Sequence, residues 1–497
     1  MRALAVDEGT DLGPSGVGFE GSSGRVRTWV DMPYREEPVR YLGPGSTGSP
    51  EALTHRWHSG DERSVRVVTV SAGPDRHGYA PLLRHIHART APQQPLEPPV
   101  TIAEAAELAA DGLLAWHYRP EHRALYETAA FERATAGCSG EGDRPAMHVG
   151  WVSGAPWAAQ LLAYGRRSGS QAHVAAGVDV LDHIAENLAP CGSFWGSWSV
   201  DRGWGTGWTP AGTIHANTIG QATLFYLRAL AAEERRGQAH ATWEAAVRAN
   251  LDALLARQRA DGNLGLHHDA ETNRVTEWEG AGGLIWIAAL LDAAQRYREP
   301  AYERAALASA AYYRRFVDDE RIYGAPEDVH LAPTSEDGAN AVVAYVALHR
   351  ATGDAAWLDV ASRAADWLLT FRYSYDVAFQ PGTFLGRHGF RTRGADQASP
   401  ANQHLHHFGL LAHPELVALS RATGDPHYAD RAREALAVWR QVIVRHDGDL
   451  NGRRGMVSER FHQTDWVEAK GSMGPLSHAW SAGVLLFACL AELEDGT

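Results

Sequence analysis

The sequence predicts a mainly α-helical fold, in which six helical hairpins close into an (α/α)6 toroid preceded by a small β-rich region. Three observations lead to this prediction. A helix–turn–helix unit at residues 333–354 recurs 71 positions later. Apolar and amphipathic helical segments alternate from residue 101 onward, whereas the first 95 residues carry strand patterns. Repetition at a long fixed spacing is typical of repeated helical hairpins.

The repeated unit consists of a buried helix, a tight turn and a half-buried helix. Thr334 and Asp337 have the spacing of a capping box. The following segment, 339–348, is apolar nearly all round, which indicates a helix buried on every side. Gly353 is a natural C-terminal stop, and the next helix has a single apolar stripe. The same ATGD turn returns at 422–425, between helices of the same two kinds.

Twelve such helices are predicted between residues 101 and 493. The amphipathic segments are 101–118, 171–188, 242–259, 301–316, 357–368 and 428–444. The apolar segments are 153–167, 217–232, 281–291, 339–348, 405–420 and 478–493. Because the two kinds alternate, we expect the apolar set to form the inner ring of the toroid.

The N-terminal region differs from the helical part. Residues 26–30, 39–42 and 64–71 alternate apolar and polar side chains between Gly, Pro and Ser clusters, as strands do. A Pro-rich linker follows at 92–99. We therefore predict two domains. The first is a small β-rich region at 1–95, interpreted as part of a truncated β-sandwich, and the second is the toroid at 100–497.

Composition limits the function classes. The chain has 497 residues, 44% of them hydrophobic, and a net charge of −14, which argues against nucleic acid or an anionic membrane as a partner. Only three cysteines occur and none form a CxxC pair, so neither a disulfide framework nor a cysteine zinc site is indicated. No apolar run is long enough for a signal peptide or a membrane span. The sequence as given predicts a cytoplasmic protein.

Tryptophan is unusually placed. The chain has 17, and several lie in Gly-rich loops: Trp195, Trp198, Trp204, Trp208, Trp278 and Trp466. Core packing explains a tryptophan inside a helix, but large flat faces in loops need something to cover them. Pyranose rings of an oligosaccharide are suitable partners.

The candidate binding residues come from the long loops that precede the inner helices. Both ends of the ring share one scaffold, so the end with the elaborate loops is favoured as the site. Carboxylates, imidazoles and tryptophans converge there, as in a sugar site. The predicted substrate-binding residues are Trp204, Trp208, His215, Trp278, Arg393, Asp396, Asn402, His404, His478 and Trp480.

Three carboxylates are the catalytic candidates. Glu279, Glu336 and Asp337 precede or open neighbouring inner helices, and paired acids cleave glycosidic bonds. We expect Glu279, buried beside Trp278, to be the acid, and Glu336 or Asp337, kept ionised by a helix N-terminus, to be the base. The alternatives are helix capping for Glu336 and Asp337, a solvated loop for Glu279 and a turn role for Asp396.

No metal or cofactor site is predicted. His404, His406 and His407 do not share one helical face and have no acidic partner at matching spacing. The stretch 447–452, DGDLNG, matches half of a calcium loop but lacks the glutamate at position 12, so a turn is favoured. No GxGxxG, Walker motif or nucleophile elbow occurs in a strand-to-helix context.

With its alternating helices, TGD turns at 352–354 and 423–425, and loop tryptophans, the chain resembles the six-hairpin glycosidase superfamily over residues 101–494. A β region before the toroid is also found in several members. The resemblance implies a carbohydrate substrate bound at the loop-rich end. It does not imply one reaction, because hydrolases, lyases and epimerases use the same toroid.

Glycoside hydrolysis by two carboxylates is the predicted activity, and other classes stay open. A polysaccharide lyase or uronate epimerase would use a His base with Arg to neutralise the uronate, a role for which Arg391, Arg393, His404 and His478 are available. A non-catalytic carbohydrate-binding protein would keep the tryptophans without convergent acids. Terpene cyclases and protein prenyltransferases also have helical toroids, but the aspartate-rich runs of the former and the zinc site of the latter are not found.

Overall fold

The structure is a computed structural model that describes residues 2–7, 9–36, 40–43, 46–49, 51–71, 73–91, 95–130, 144–329, 331–400, 402–465, 469–474 and 476–495. Trp466, one of the loop tryptophans, lies outside these ranges. The chain forms two compact units, residues 1–89 with 464–470, and residues 90–463 with 471–497. The domain division at residues 95–100 stays a prediction.

The first unit is built from short antiparallel strands. β4 pairs with β5 in a hairpin, β1 pairs with β10, and the other pairs are β2–β3, β6–β9 and β7–β8. The strands are β1 Arg2–Val6, β2 Gly9–Thr10, β3 Gly13–Pro14, β4 Gly16–Ser22, β5 Arg25–Asp31, β6 Arg35–Glu36, β7 Arg40–Gly43, β8 Ser46–Gly48, β9 Glu51–Ala52 and β10 Val67–Ser71. One helix follows, α1 Ala80–Arg89. Strands therefore occur in all three segments where the sequence predicts them.

The second unit is the predicted (α/α)6 toroid. The outer helices are α2 Ile102–Gly112, α4 Gln171–Ala185, α6 Ala241–Arg257, α8 Pro300–Asp318, α10 Ala355–Leu368 and α13 Pro426–Trp439. The inner helices are α3 Ala155–Ser168, α5 Ala216–Glu234, α7 Ile285–Tyr297, α9 Ser335–Thr352, α12 His413–Thr423 and α14 Ala479–Asp495. Each inner helix packs on the next, and α14 packs on both α3 and α2, which closes the ring. A further short helix is α11 Phe384–Arg387.

Burial follows the predicted alternation. Every residue of α9 from Ser335 to Leu348 is buried, whereas α10 buries a single face. The capping box of Thr334 and Asp337 is present. Gly353 and Gly424 end α9 and α12 with φ of 69° and 71°, a left-handed conformation that glycine adopts without a Cβ clash. The repeated TGD turns are therefore two copies of one helix stop.

The fifth inner helix begins later than the sequence predicts. The segment predicted as helix from residue 405 starts with a short strand, continues as a 3₁₀ turn, and becomes α-helical only at His413. Leu405 exchanges backbone hydrogen bonds with Phe461 at 2.9 and 3.2 Å, and this pairing competes with helix formation. Pro414, in the first turn of α12, suits a helix start because proline lacks the N–H that a helix interior uses.

Small sheets in the second unit shape the loops before the inner helices. They pair β11 with β12, β13 with β22, β20 with β21, and join β14–β15–β16 and β17–β18–β19. The strands are β11 Tyr118–Arg119, β12 Ala124–Leu125, β13 Thr128–Ala130, β14 Ala146–His148, β15 Ser197–Ser199, β16 Gly203–Gly205, β17 Thr213–His215, β18 His267–Asp269, β19 Val275–Glu277, β20 Asp396–Gln397, β21 Leu405–His406 and β22 Leu476–His478.

None of the helices in the described part of the chain has the length and apolar character that crossing a membrane requires.

Candidate functional site

Buried histidines mark the loop-rich end of the toroid. Four short strands end in a histidine and lead toward an inner helix: His148 on β14, His215 on β17, His406 on β21 and His478 on β22. All four side chains are buried. Each of these strands leads to the N-terminal end of an inner helix. The four imidazoles therefore lie at the same end of the ring.

The first cluster is an ion pair between His148 and Glu327. His148 Nε2 lies 3.1 Å from Glu327 Oε1, and the Thr218 hydroxyl donates to the same carboxylate. Burial opposes ionisation of Glu327, but the charge and hydrogen bond of His148 outweigh it and lower the pKa to about 2. Glu327 is therefore an ionised carboxylate at neutral pH.

Two tryptophans lie against this pair. The Trp208 ring centroid is 5.4 Å from that of His148, and Trp151 is 5.8 Å from it on another side. Trp208 is 44% exposed, whereas Trp151 is buried. Trp151 also contacts Trp480, with centroids 6.3 Å apart. Trp151 thus links the His148–Glu327 cluster to a second group of polar side chains.

The second group surrounds a narrow cleft. Its lining comes from the loops before four inner helices. The polar and aromatic residues among the lining are Trp151, Asp328, Thr334, Glu336, Ser399, Asn402, His404, His406, Glu459 and Trp480. Six of these were named by the sequence analysis in some role: Thr334, Glu336, Asn402, His404, His406 and Trp480.

Glu336 is a buried carboxyl group in the lining of this cleft. It is 8% exposed, and its Oε2 has no hydrogen-bond partner among the described residues. Burial, reinforced by the charges of Asp328 and Asp337, raises its pKa well above the ordinary value. A helix N-terminus favours the ionised form by only about 0.3–1 kcal/mol, whereas burial of a charge costs several kcal/mol. Burial therefore acts against the expectation that the helix keeps Glu336 ionised.

Glu459 lines the same cleft, but its pKa is shifted in the opposite direction from that of Glu336. Its Oε2 lies 3.0 Å from His478 Nε2 and 3.2 Å from Arg460 Nε. Burial opposes ionisation, but the charge and hydrogen bond of His478, together with the charge of Arg460, hold the pKa of Glu459 well below its ordinary value. Within one cleft, the surroundings therefore raise the pKa of Glu336 and lower that of Glu459.

The cleft histidines are neutral bases. Burial lowers the pKa of His404 well below its ordinary value and that of His406 to about 4. His406 Nε2 is 2.9 Å from the Ser335 hydroxyl, and His404 Nδ1 is 2.9 Å from Asn402 Oδ1. Farther round the ring, burial also lowers the pKa of His215 to about 3. These imidazoles are uncharged at neutral pH.

Asp337 has a structural role at the start of α9. Its carboxylate accepts hydrogen bonds from the Ala325 N–H at 2.7 Å, and from the Thr334 N–H and hydroxyl at 2.9 and 2.7 Å. The side chain is fully buried and is absent from the cleft lining. Its contacts are those of the capping alternative.

Titration of Asp337 makes stability depend on pH. Burial raises its pKa from 3.8 to about 7, although the three hydrogen bonds lower it. The folded state therefore binds the proton more tightly than the unfolded state, and this contribution to stability is lost as pH rises from about 4 to about 7. We expect the free energy of unfolding, measured by urea titration, to show this decline in the wild type and to lack it in Asp337→Asn. Parallel pH profiles for the two proteins would contradict the prediction.

Several predicted site residues lie outside the cleft. Glu279 is exposed and accepts a hydrogen bond from the Tyr323 hydroxyl, so the burial expected of the acid is not observed. Trp278 is covered by Arg259, whose guanidinium carbon is 4.7 Å from the ring centroid. Trp204 packs on His183 with centroids 4.8 Å apart. Catalysis by Glu279, and sugar binding by Trp204 and Trp278, stay predictions.

Two charged candidates are held in ion pairs. Asp396 forms a fully buried, two-pronged pair with Arg372, at 2.7 and 2.8 Å. Arg393 pairs with Glu434 and donates to the Ser374 carbonyl at 2.6 Å. Neither Asp396 nor Arg393 lines the cleft. Both have local partners that account for their positions.

The sequence analysis missed four residues of the site: His148, Glu327, Asp328 and Glu459. A usable signal existed for the first. A three-residue stretch that ends in histidine precedes the first, second and sixth inner helices, as AMH, TIH and LSH, and the sequence analysis used only the histidines of the last two. Glu459 and the Glu327–Asp328 pair lie in loops without periodicity, where no pattern separates them from solvated carboxylates.

Within the described ranges, no group of three or more His, Cys, Asp or Glu side chains has an arrangement that could hold a metal ion.

The chain is similar in fold to solved carbohydrate-active enzymes. A D-mannose isomerase matches with a TM-score of 0.55 at 11% identity, over 79% of this chain and 97% of that one. Cellobiose 2-epimerase from Spirochaeta thermophila matches at 0.53 and 13%, over 84% and 98%. Unsaturated glucuronyl hydrolase from Bacillus sp. GL1 matches at 0.51 and 17%, over 80% and 96%.

No family model matches the chain, and no curated protein matches it by sequence. The structural similarity confirms the (α/α)6 toroid. The matched proteins carry different reactions, so the chemistry has to be argued from the cleft.

Proposed function

We propose that the protein is a glycoside hydrolase. It cleaves a glycosidic bond of an oligosaccharide that is bound between the side chains of Glu336 and Glu459. The observation that carries the proposal is that one cleft is lined by Glu336 and Glu459, whose surroundings shift their pKa values in opposite directions. Glycosidic bond cleavage needs this combination, because one group must deliver a proton and the other must act as base or nucleophile. The roles differ from those predicted from sequence, with Glu336 as the acid in place of Glu279.

The proposed step uses both groups together. The protonated Glu336 gives its proton to the glycosidic oxygen as the bond to the anomeric carbon breaks. The ionised Glu459 either removes a proton from an attacking water or attacks the anomeric carbon itself. His478 fixes the orientation of Glu459 through its hydrogen bond. Water supplies the atoms that complete both products.

Sugar stacking on Trp208 is part of the proposal. Trp208 is 44% exposed and lies over His148 at the loop-rich end. We expect Trp208→Ala to weaken oligosaccharide binding roughly tenfold, because an aromatic face that a pyranose ring covers is lost. Titration calorimetry measures the affinity, and Trp57→Ala, an exposed tryptophan of the first unit, is the matched control. Equal affinities for the two variants would contradict stacking on Trp208.

A second candidate is a sugar isomerase or epimerase. The observation that favours it is that neutral His404 and His406 line the same cleft, where either imidazole could remove a proton from carbon. Two of the similar structures are an isomerase and an epimerase, which adds support. In this alternative Glu336 would return the proton.

Product masses distinguish these reactions. The protein is incubated with mixed oligosaccharides in H₂O and in D₂O, and the products are read by mass spectrometry. A gain of one water per cleavage supports hydrolysis. Fragments without added water, one of them unsaturated, indicate a lyase. An unchanged mass in H₂O, with deuterium incorporated at a carbon atom in D₂O, indicates an epimerase or isomerase. Either of the last two results refutes the proposal.

The cytoplasmic location stays a prediction, based on the low cysteine content.

A further inference from the structure

The charged groups that line the cleft indicate which class of sugar it binds. Three carboxyl groups line it, from Asp328, Glu336 and Glu459. No lysine or arginine is present among the described lining residues. The mutual repulsion is visible in Asp328 and Glu336, since burial together with the neighbouring acids raises the pKa of both. A further negative charge in this cleft would add to that repulsion.

Two unpaired polar atoms give independent evidence about the ligand. Glu336 Oε2 and Trp151 Nε1 are buried without hydrogen-bond partners among the described residues, and both side chains line the cleft. An indole N–H can only donate, a protonated Glu336 donates through its O–H, and the ionised Glu459 can only accept. A sugar hydroxyl satisfies all three, because it accepts from the indole and from Glu336 and donates to Glu459. A uronate carboxylate accepts only, so it has nothing to offer Asp328 or Glu459.

The guanidinium groups of Arg391, Arg393 and Arg460 are each paired with a carboxylate. Neutralising a uronate requires a cation, usually an arginine in a two-pronged contact. Arg391 is paired with Asp376 at 2.7 Å, and Arg393 with Glu434. Arg460 lies beside the cleft but 3.2 Å from Glu459, which opposes its charge.

We infer that the cleft accepts a neutral sugar unit and rejects a uronate at the position next to Asp328 and Glu336. This inference rests on the proposed function, because it takes the cleft to be the sugar site. A uronate carboxylate within about 5 Å of an ionised acid in a poorly hydrated cleft is repelled strongly enough for at least a tenfold loss of affinity.

The test compares sugars that differ at one carbon. Neutral oligosaccharides and their counterparts with a carboxylate at C6 (glucosides with glucuronides, mannosides with mannuronides, galactosides with galacturonides) are titrated against the full chain by calorimetry. For each pair we expect the uronate to bind at least about tenfold more weakly. Asp328→Asn should reduce this ratio severalfold. Glu186→Gln, which removes an exposed charge paired with Arg123, should leave the ratio unchanged.

The outcomes separate the inference from the proposed hydrolase. Neutral sugars that bind without being cleaved would refute hydrolysis and leave the specificity standing. Uronates that are cleaved and bind at least as tightly as neutral sugars would refute the specificity and leave hydrolysis standing. Failure of every neutral sugar to bind, or an unchanged ratio in a folded Asp328→Asn protein, would also overturn the inference.

Discussion

Replacing Glu336 by glutamine should lower turnover of the oligosaccharide substrate by about 10²–10⁴-fold, the usual contribution of a general acid. Glutamine has nearly the same shape and still lies in the buried first turn of α9, but it has no acidic proton to deliver. The substrate contacts of the cleft remain, so KM should change little. Steady-state kinetics on the substrate found by the mass assay measures both constants.

Two further properties distinguish loss of the acid from a general disturbance of the site. Substrates with an acidic leaving group, such as nitrophenyl glycosides, need little protonation and should retain much more of their rate in Glu336→Gln. The wild-type rate should fall as pH rises through the raised pKa of Glu336, because the proton is then lost. The variant should lack this fall.

Glu279→Gln is the decisive comparison. The sequence predicts Glu279 as the acid, whereas its side chain is exposed and bonded to Tyr323. If Glu336 is the acid, Glu279→Gln keeps most of its turnover. If instead Glu279→Gln loses the rate and Glu336→Gln keeps it, with both proteins folded by circular dichroism, the proposed assignment is refuted.

Replacing Asp396 by asparagine should reduce the free energy of unfolding by about 3–5 kcal/mol. The substitution leaves the Arg372 guanidinium buried without its countercharge, and both side chains are fully inaccessible to solvent. The desolvation cost of Arg372 is then no longer offset. Urea unfolding followed by tryptophan fluorescence measures the change.

The exposed pair of Arg123 and Glu186 provides the contrast. Both side chains are more than a third exposed, so Glu186→Gln should change stability by no more than about 1 kcal/mol. A small stability loss in Asp396→Asn combined with weaker sugar binding would instead support the substrate contact predicted for Asp396 from sequence.

Helix periodicity carried most of the fold prediction. In apolar segments such as the one preceding Gly353, the local sequence pattern and the packing of the ring both favour a helix. The helix and its C-terminal stop were therefore predictable. The segment at 405–412 was mispredicted because its apolar residues fit a helix equally well. Pairing of Leu405 with Phe461, 56 positions away in the chain, decides its conformation, and no local pattern contains that contact.

The site was less predictable for a related reason. Glu336 could be found because it stands at the start of a recognisable helix. Its chemistry could not, because the raised pKa comes from burial and from Asp328, which a neighbouring loop supplies. The pKa of Glu459 is lowered mainly by His478, which a different segment of the chain supplies. Charge state is a property of the assembled cleft.

Closure of the ring has a consequence for biosynthesis. The first outer helix, α2, packs against α14, and His117 just after it lies 3.2 Å from the Ser477 hydroxyl, 360 positions later. At about 5–20 residues per second, the ribosome needs roughly 20–70 s to make the intervening chain. During that time the apolar faces that α14 will cover remain open to water or to a chaperone. The ring can be completed only after the last helix has left the exit tunnel.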